Sequence, residues 1–469
     1  MHKHIFILFS LMCGSPAQAG TYKINYIRMK YEDLIVTTLG KCSVVSPLKT
    51  SQHEDSPVYK FVKDDERILY EGTLESYHHY RDANEIPASF EKAGPKETIY
   101  FEPAKTKVAI VTCGGICPGL NNVIRALVNQ LVYRYGITRI LGIQYGFEGL
   151  IPKYNHAVIE LTAPMVSDIY QSGGTFLGTS RGNQDVEQMV DTLEILNINV
   201  LFCIGGDGTL RGAHAIYKEI EKRKLRIAVA GIPKTIDNDI DLMQKSFGFE
   251  TAFSIANDII MNAHNEAHGA YNGIALVKLM GRDSGFIAAS AALAIQEVNF
   301  VLIPEVPFDL YGPRGFLKLL RKRLEERHHA VIVVAEGAGQ DFFDSENAER
   351  DASGNVKHKD IGIYLKEKIS EEFKAKEFPH SIKYIDPSYI IRSAPANAND
   401  SKFCNLLAQN AVHAALAGKT DLVVGYWNNE FTLVPISMAV AKRKKIDVEG
   451  ELWWNVLEAT GQPISMKNH

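Results

Sequence analysis

Two doubly wound α/β layers are the fold this sequence predicts, and three observations carry the expectation. From Lys107 onward, short β-branched runs alternate with helix-period segments, which is the texture of βαβ units around a parallel sheet. The strand-like runs are numerous enough to fill two such sheets. At 469 residues the chain is also too long for one compact core, so two domains are expected.

Taken in order, residues 1–103 read as a polar, weakly periodic, partly ordered extension rich in Tyr, Asp, Glu and His. Its first twenty residues, "MHKHIFILFSLMCGSPAQAG", have the basic start, apolar run and A-x-A-like end of a secretory signal. The rest of the chain argues for intracellular chemistry, and Met29 opens an alternative start, so residues 1–28 are expected to be a start-site artefact or a mimic. Then come the pairs "KVAIVTC" with "NNVIRALVNQLVYRYG", "VLFCIGG" with "TLRGAHAIYKEIEKRK", and "RIAVAGIP" with "ETAFSIANDIIMNAHNEAH". Further strands follow at "GIALVKLM", "NFVLIPEV", "AVIVVAEGAG" and "DLVVGYW", and the polar stretch from 340 to 360 reads as a surface insertion.

A net charge of -4 with 23% charged residues gives no reason to expect a nucleic-acid partner. The basic runs "LLRKRLEER" and "AKRKK" read as solvated helix faces. Beyond the N-terminal run, no segment has the length of a membrane span. Six cysteines without a zinc spacing fit reduced thiols in a cytosolic enzyme.

In open α/β sheets, ligands bind beyond the carboxyl ends of the strands. Four strand ends carry chemistry here. "CGGICPGLNN" offers Gly114, Gly115 and Gly119 before a helix start, a place for phosphate that matches neither common glycine-rich fingerprint. "GGDGTLRGA" adds Asp207, a hard oxygen ligand suited to Mg2+ on phosphates, although an Asp there also serves to cap a helix. "IPKTIDNDI" packs Lys234, Thr235, Asp237 and Asp239 together. Asn238 and the aspartates are ordinary turn formers. The same groups also supply a proton acceptor, a phosphoryl hydrogen bond and a neutralising cation, which are the needs of phosphoryl transfer. "KLMGRDSG" presents Arg282, either a surface ion pair or a fork for phosphate oxygens.

The motifs "GGICPG", "GGTFLGTSRG", "GGDGT", "PKTIDND", "MGR" and "AEG", in this order, resemble those of the 6-phosphofructokinases, from about Lys107 to the C-terminus. The flavour is that of the long-extension ATP-dependent branch found in trypanosomatids, plants and some bacteria. The resemblance implies two Rossmann-like subdomains with the active site in the cleft between them. Residues 104–248 with 391–441 would bind nucleotide, and 249–390 with 442–469 would bind the sugar phosphate.

It also implies roles. Asp237 matches the base acting on the 1-hydroxyl of fructose 6-phosphate, and Asp239 its supporting neighbour. Gly114, Arg181, Gly206, Asp207, Gly208 and Thr209 match the positions for ATP and Mg2+, with Asp207 the metal-linked carboxylate. Thr235, Lys234 and Arg282 match groups around the moving phosphoryl. Met280, Gly281 and Glu336 match sugar contacts, and Arg392 a clamp on the 6-phosphate. Lys383 and Tyr389 stand where familiar bacterial relatives carry arginine and histidine.

Gly208 occupies the position where pyrophosphate-dependent members place aspartate, and so favours ATP. Lys234 is shared with the pyrophosphate users, and the ATP-dependent branch combines the two. Gly273 stands where bacterial relatives carry an arginine that reaches into a neighbouring active site, so a cross-subunit arginine would have to come from elsewhere. Asn129 and Asn299 replace residues of the bacterial effector site, which argues against the same effectors, while Arg125 is retained. NAD and lipid kinases also use "GGDGT" but lack "PKTIDND" followed by "MGR". A non-catalytic regulatory subunit would be expected to have lost Asp237, Asp207 or Arg282. The resemblance further implies a cytoplasmic glycolytic enzyme forming a homotetramer.

Overall fold

A computed structural model of the protein describes residues 29–50, 59–343, 349 and 356–469. The signal-like residues 1–28 and the middle of the 340–360 insertion lie outside the described residues.

Among the described residues thirteen strands build the two main sheets: β1 (Arg67–Leu69), β2 (Ser89–Lys92), β3 (Val108–Thr112), β4 (Ile140–Ile143), β5 (Val158–Glu160), β6 (Val200–Gly205), β7 (Ala228–Pro233), β8 (Gly273–Leu279), β9 (Phe300–Leu302), β10 (His329–Ala335), β11 (Ser381–Ile385), β12 (Leu422–Trp427) and β13 (Glu430–Pro435). The larger sheet runs β1-β2-β13-β12-β7-β6-β3-β4-β5, and the smaller β9-β10-β8-β11. Strands β12, β7, β6, β3 and β4 run parallel to one another, with antiparallel neighbours only at the flanks, and all four strands of the smaller sheet are parallel, so the chain is doubly wound α/β.

The interior strands are apolar because both faces are covered. Along β3, Val108 and Ile110 pack under the helices Leu120–Tyr135 and Ala398–Leu416, while Ala109 and Val111 face the opposite layer with Leu210 and Ile216. The smaller sheet divides in the same way. Val277 and Leu279 meet the helices Phe249–His268 and Phe286–Ile295, and Ile274 and Leu276 meet Phe316–Arg327 and Ile361–Ala375.

The N-terminal extension is more structured than its weak periodicity suggests. Its strand β2 adds antiparallel to β13, and β1 antiparallel to β2, so the two form one edge of the larger sheet. Phe90 is fully buried, and Tyr70 stacks on Trp427 at 5.3 Å between ring centroids. These contacts are long-range, so no local period betrays them. "LLRKRLEER" does form a helix with solvated ion pairs such as Arg321 with Glu325. "AKRKK" does not: it begins in a turn and a bend, and Arg443 forms a β-bridge with Ile240. All five described cysteines are free thiols.

Candidate active site

The carboxyl ends of β3, β6, β7, β8 and β10 bring the predicted loops together. After β3, Gly114 has φ +85 and Gly119 φ +102, conformations that favour glycine. The Gly114 N–H donates to the Ser180 carbonyl (3.0 Å), and its own carbonyl accepts from Thr179 Oγ1 (2.6 Å), tying this loop to the segment that carries Arg181. A Cβ on Gly115 would lie 2.8 Å from Arg392 Nη2 and 3.2 Å from Arg181 Nη2. Lys234 Nζ donates to the Gly115 carbonyl (2.6 Å). Three cations thus surround one glycine turn. Burial, with Arg392 and Arg181 adding to it, lowers the proton affinity of Lys234, so an arriving anion would be stabilised by all three.

After β6, Gly206 precedes the helix Asp207–Lys222 and places its unpaired N–H groups at the strand end. Asp207 is the first helical residue and not the cap. Its carboxylate accepts from Arg211 Nε at 3.1 Å. A Cβ on Gly205 would fall 2.1 Å from Thr209 Oγ1, so that glycine lets the buried Thr209 sit under the strand end. Around Gly208 a Cβ would meet nothing within 4 Å. Packing therefore does not require glycine there, and the space lies open.

After β7, Asn238 takes φ +54, the left-handed turn that separates two carboxylates. Asp239 accepts from Thr235 Oγ1 at 2.6 Å and from Arg443 Nη1 at 3.2 Å. Asp237 differs. The residue is half-buried, but its Oδ1 is shielded from solvent and has no hydrogen-bond partner among the described residues. Burial first, then Asp239 and Glu336, hold its carboxyl well above the ordinary carboxylate range, against the pull of the Arg282 amide and Arg443. Once ionised, such a carboxylate is a strong acceptor with an open lone pair.

The smaller sheet faces this loop. Ser284 Oγ donates to the Asp237 carbonyl (3.1 Å), and Arg443 also reaches Asp283, so one guanidinium joins the ends of both sheets. Met280 is buried, and Gly281 has φ +133, where a Cβ would lie 2.4 Å from the Ser284 carbonyl. Arg282 donates to the Val356 carbonyl. Burial raises the Glu336 carboxyl, with Arg282, Lys278 and Arg392 counteracting. Lys383 is exposed on β11 and Tyr389 is 80% exposed. Among the described residues, neither side chain hydrogen-bonds to the Asp237 cluster.

Sequence reasoning missed Arg443 and Lys444. Lys444 donates its backbone N–H to the Asp239 carbonyl (2.8 Å) and its Nζ to the Met243 carbonyl (2.9 Å), and burial lowers its proton affinity to about 8. Four cations in five positions look like solvated charge; only the fold turns them onto the loop. Cys113, beside the glycine turn, is no nucleophile, since burial pushes its thiol up to about 12.

Among the described residues no group of three or more His, Cys, Asp or Glu is placed to hold a metal ion. A lone carboxylate at a phosphate loop fits Mg2+ carried in largely on phosphate oxygens, the ion's usual mode, and Asp207 is the residue that would hold it.

The family model described as Phosphofructokinase matches residues 107–415. The chain belongs to the phosphofructokinase family. It is 51% identical over 451 residues to an ATP-dependent 6-phosphofructokinase of Borreliella burgdorferi, covering 94% of this chain and 100% of that one. Proteins of the same name from Amycolatopsis methanolica and Trypanosoma cruzi are 47% and 43% identical, each over 92% of this chain and over 95% and 88% of theirs. Among solved structures, a pyrophosphate-dependent phosphofructokinase from Marinobacter aquaeolei superimposes with TM-score 0.62 at 18% identity, over 76% of this chain and 91% of that one. That likeness concerns the fold shared across the family.

Proposed function

We propose that this protein transfers the terminal phosphoryl group of ATP to the 1-hydroxyl of fructose 6-phosphate, giving fructose 1,6-bisphosphate and ADP. The observation that carries the reading is Asp237: a half-buried carboxyl whose shielded Oδ1 is unsatisfied, placed between a three-cation phosphate cradle and the loop bearing Met280 and Arg282.

In the reaction, the sugar O1 forms a bond to the γ-phosphorus as the bond from that phosphorus to the ADP oxygen breaks. The hydroxyl proton passes to Asp237 Oδ1. Positioning and charge stabilisation do the rest, as phosphoryl transfer requires little covalent chemistry from the protein. Gly206 and Thr209 cradle the phosphates with their backbone, Gly114 shapes the turn that lets them approach, Gly208 leaves room for the nucleotide, and Lys234, Arg181 and Arg282 meet the developing charge. Thr235 and Asp239 hold the loop in shape. Met280, Gly281, Glu336, Lys383, Tyr389 and Arg392 are proposed to receive the sugar phosphate. Mg2+ held by Asp207 and the phosphates would neutralise part of their charge.

The reading assigns nucleotide binding to 104–248 with 391–441 and sugar binding to 249–390 with 442–469, with 1–103 as the extension. ATP is preferred to pyrophosphate because the relatives sharing nearly the whole chain are named as ATP-dependent and because Gly208 stands open. Among the described residues no helix is long and apolar enough to cross a membrane. A cytoplasmic homotetramer is part of the proposal. Phosphorus NMR of a reaction with ATP, Mg2+ and fructose 6-phosphate tests it: a new phosphate ester on C1 is expected, and unchanged substrate in the presence of folded protein would overturn it.

A further inference from the structure

The N-terminal extension touches the larger sheet at the hairpin turn between β12 and β13, and that turn touches the catalytic loop. At the turn, Asn428 and Asn429 both take positive φ, +48 and +63. Asn428 Nδ2 donates to the Leu69 carbonyl (3.2 Å), and Trp427 Nε1 donates to the Tyr70 carbonyl (2.9 Å), so the extension holds the turn from one side. From the other side, the Asn428 N–H donates to Gln244 Oε1 (2.9 Å), while the Gln244 N–H donates to the Tyr426 carbonyl (2.9 Å). The Gln244 carbonyl in turn accepts from Asn238 Nδ2 (3.2 Å) and from Lys444 Nζ (3.3 Å). Asn238 is the left-handed residue between Asp237 and Asp239, and its Oδ1 accepts from the Ser246 N–H (3.0 Å). An unbroken series of hydrogen bonds therefore runs from Leu69 in the extension, through Asn428 and Gln244, to the residue that sets the angle between the two carboxylates.

We propose that Gln244 is a positioning residue for the phosphoryl-transfer step, and that through it and Asn428 the N-terminal extension fixes the geometry of the Asp237 loop. The inference rests on Asp237 acting as the base. The side chain of Gln244 contributes one acceptor to this series, at a distance where a bond is fully formed. Its loss leaves the Asn428 N–H without a protein partner and loosens the 238–246 segment, which keeps the Gln244 N–H to Tyr426 carbonyl bond as its link to the hairpin. A displacement of about 1 Å at a reacting group costs on the order of a hundredfold in rate.

The test compares Gln244→Met, which keeps length and volume without an acceptor, with Gln244→Glu, which keeps the acceptor. Asn428→Gly retains the turn conformation and the N–H to Gln244 but deletes the bond to Leu69. Each full-length protein is assayed with ATP, Mg2+ and fructose 6-phosphate across pH, with Tm measured alongside. In Gln244→Met, kcat is expected to fall by about tenfold to a hundredfold, with both KM values within about threefold. Gln244→Glu should recover most of that loss, and Asn428→Gly should show part of it.

A loosened loop also admits water to Asp237, which faces Asp239, Glu336, Arg443 and the Arg282 amide. The acidic limb of kcat/KM should then move to lower pH, a change that a merely structural role would not produce. Wild-type kcat with an unmoved limb in Gln244→Met overturns the proposal, whatever its Tm. If that variant fails to fold, wild-type behaviour of Asn428→Gly overturns it instead. Silence of the wild-type protein under the same conditions would indict the proposed reaction and not this coupling.

Discussion

Replacing Asp237 by Asn removes the proton acceptor while leaving the loop its main-chain bonds. The Asp237 N–H donates to Thr235 Oγ1 (3.2 Å), and its carbonyl accepts from Ser284; neither bond involves the carboxylate. The turn should survive. A positioned general base contributes about two to four decades of rate, which at 1.36 kcal/mol per decade is about 3–5 kcal/mol on the barrier. The upper half of that range is expected, because Oδ1 is buried and has no competing partner. Stability should change in the opposite direction. The folded carboxyl keeps its proton to a higher pH than an unfolded aspartate, so wild-type stability is lost as pH rises from the ordinary carboxylate range through the folded value. The Asn variant lacks this loss, and its Tm should exceed the wild-type value at pH 8 but not at pH 3. Steady-state assays with both substrates saturating, together with calorimetry at the two pH values, read both effects. A kcat within threefold of wild type, in a variant whose Tm is intact, would refute the assignment of the base.

Other consequences follow from the same geometry. Arg443→Gln removes a cation that favours ionised Asp237, so the acidic limb of kcat/KM should move to higher pH. It also leaves Asp239 and Asp283 without their shared partner, at a cost of about 1–3 kcal/mol, less than for a fully buried pair because Arg443 is partly exposed; denaturant titration measures this. Gly208→Asp should fold normally, since a side chain there meets nothing within 4 Å, but should raise the KM for ATP by about a hundredfold through like-charge repulsion. Chelation of Mg2+ by EDTA should stop turnover and leave Tm unchanged, because the described residues form no structural metal cage; a fall in Tm would point to a built-in ion.

How much of this was legible before folding depended on range. Each of the interior strands β3, β6, β7 and β8 is a compact apolar run ending in glycine or polar residues, and both the run and its ending are local signals. So Asp237, Asp207, Gly208 and Arg282 could be named from the sequence alone. Strands β1 and β2 could not, since β2, on which β1 pairs, joins the sheet through β13, more than three hundred residues away, and Glu91 on β2 is buried against Lys419. Arg443 was hidden for a similar reason. It sits in a run of cations that resembles a wet surface until the β-bridge with Ile240 turns it inward. Asn238 looked like a plain turn former, and it is one, but its side chain also carries the link to Gln244.

The most direct check of the account is donor selection by the full-length protein, with fructose 6-phosphate and Mg2+ present and either ATP or pyrophosphate supplied. Formation of fructose 1,6-bisphosphate with ATP, and none with pyrophosphate, is the expected result. Turnover with pyrophosphate alone would contradict the reading of Gly208, and no product with either donor would contradict the reaction itself.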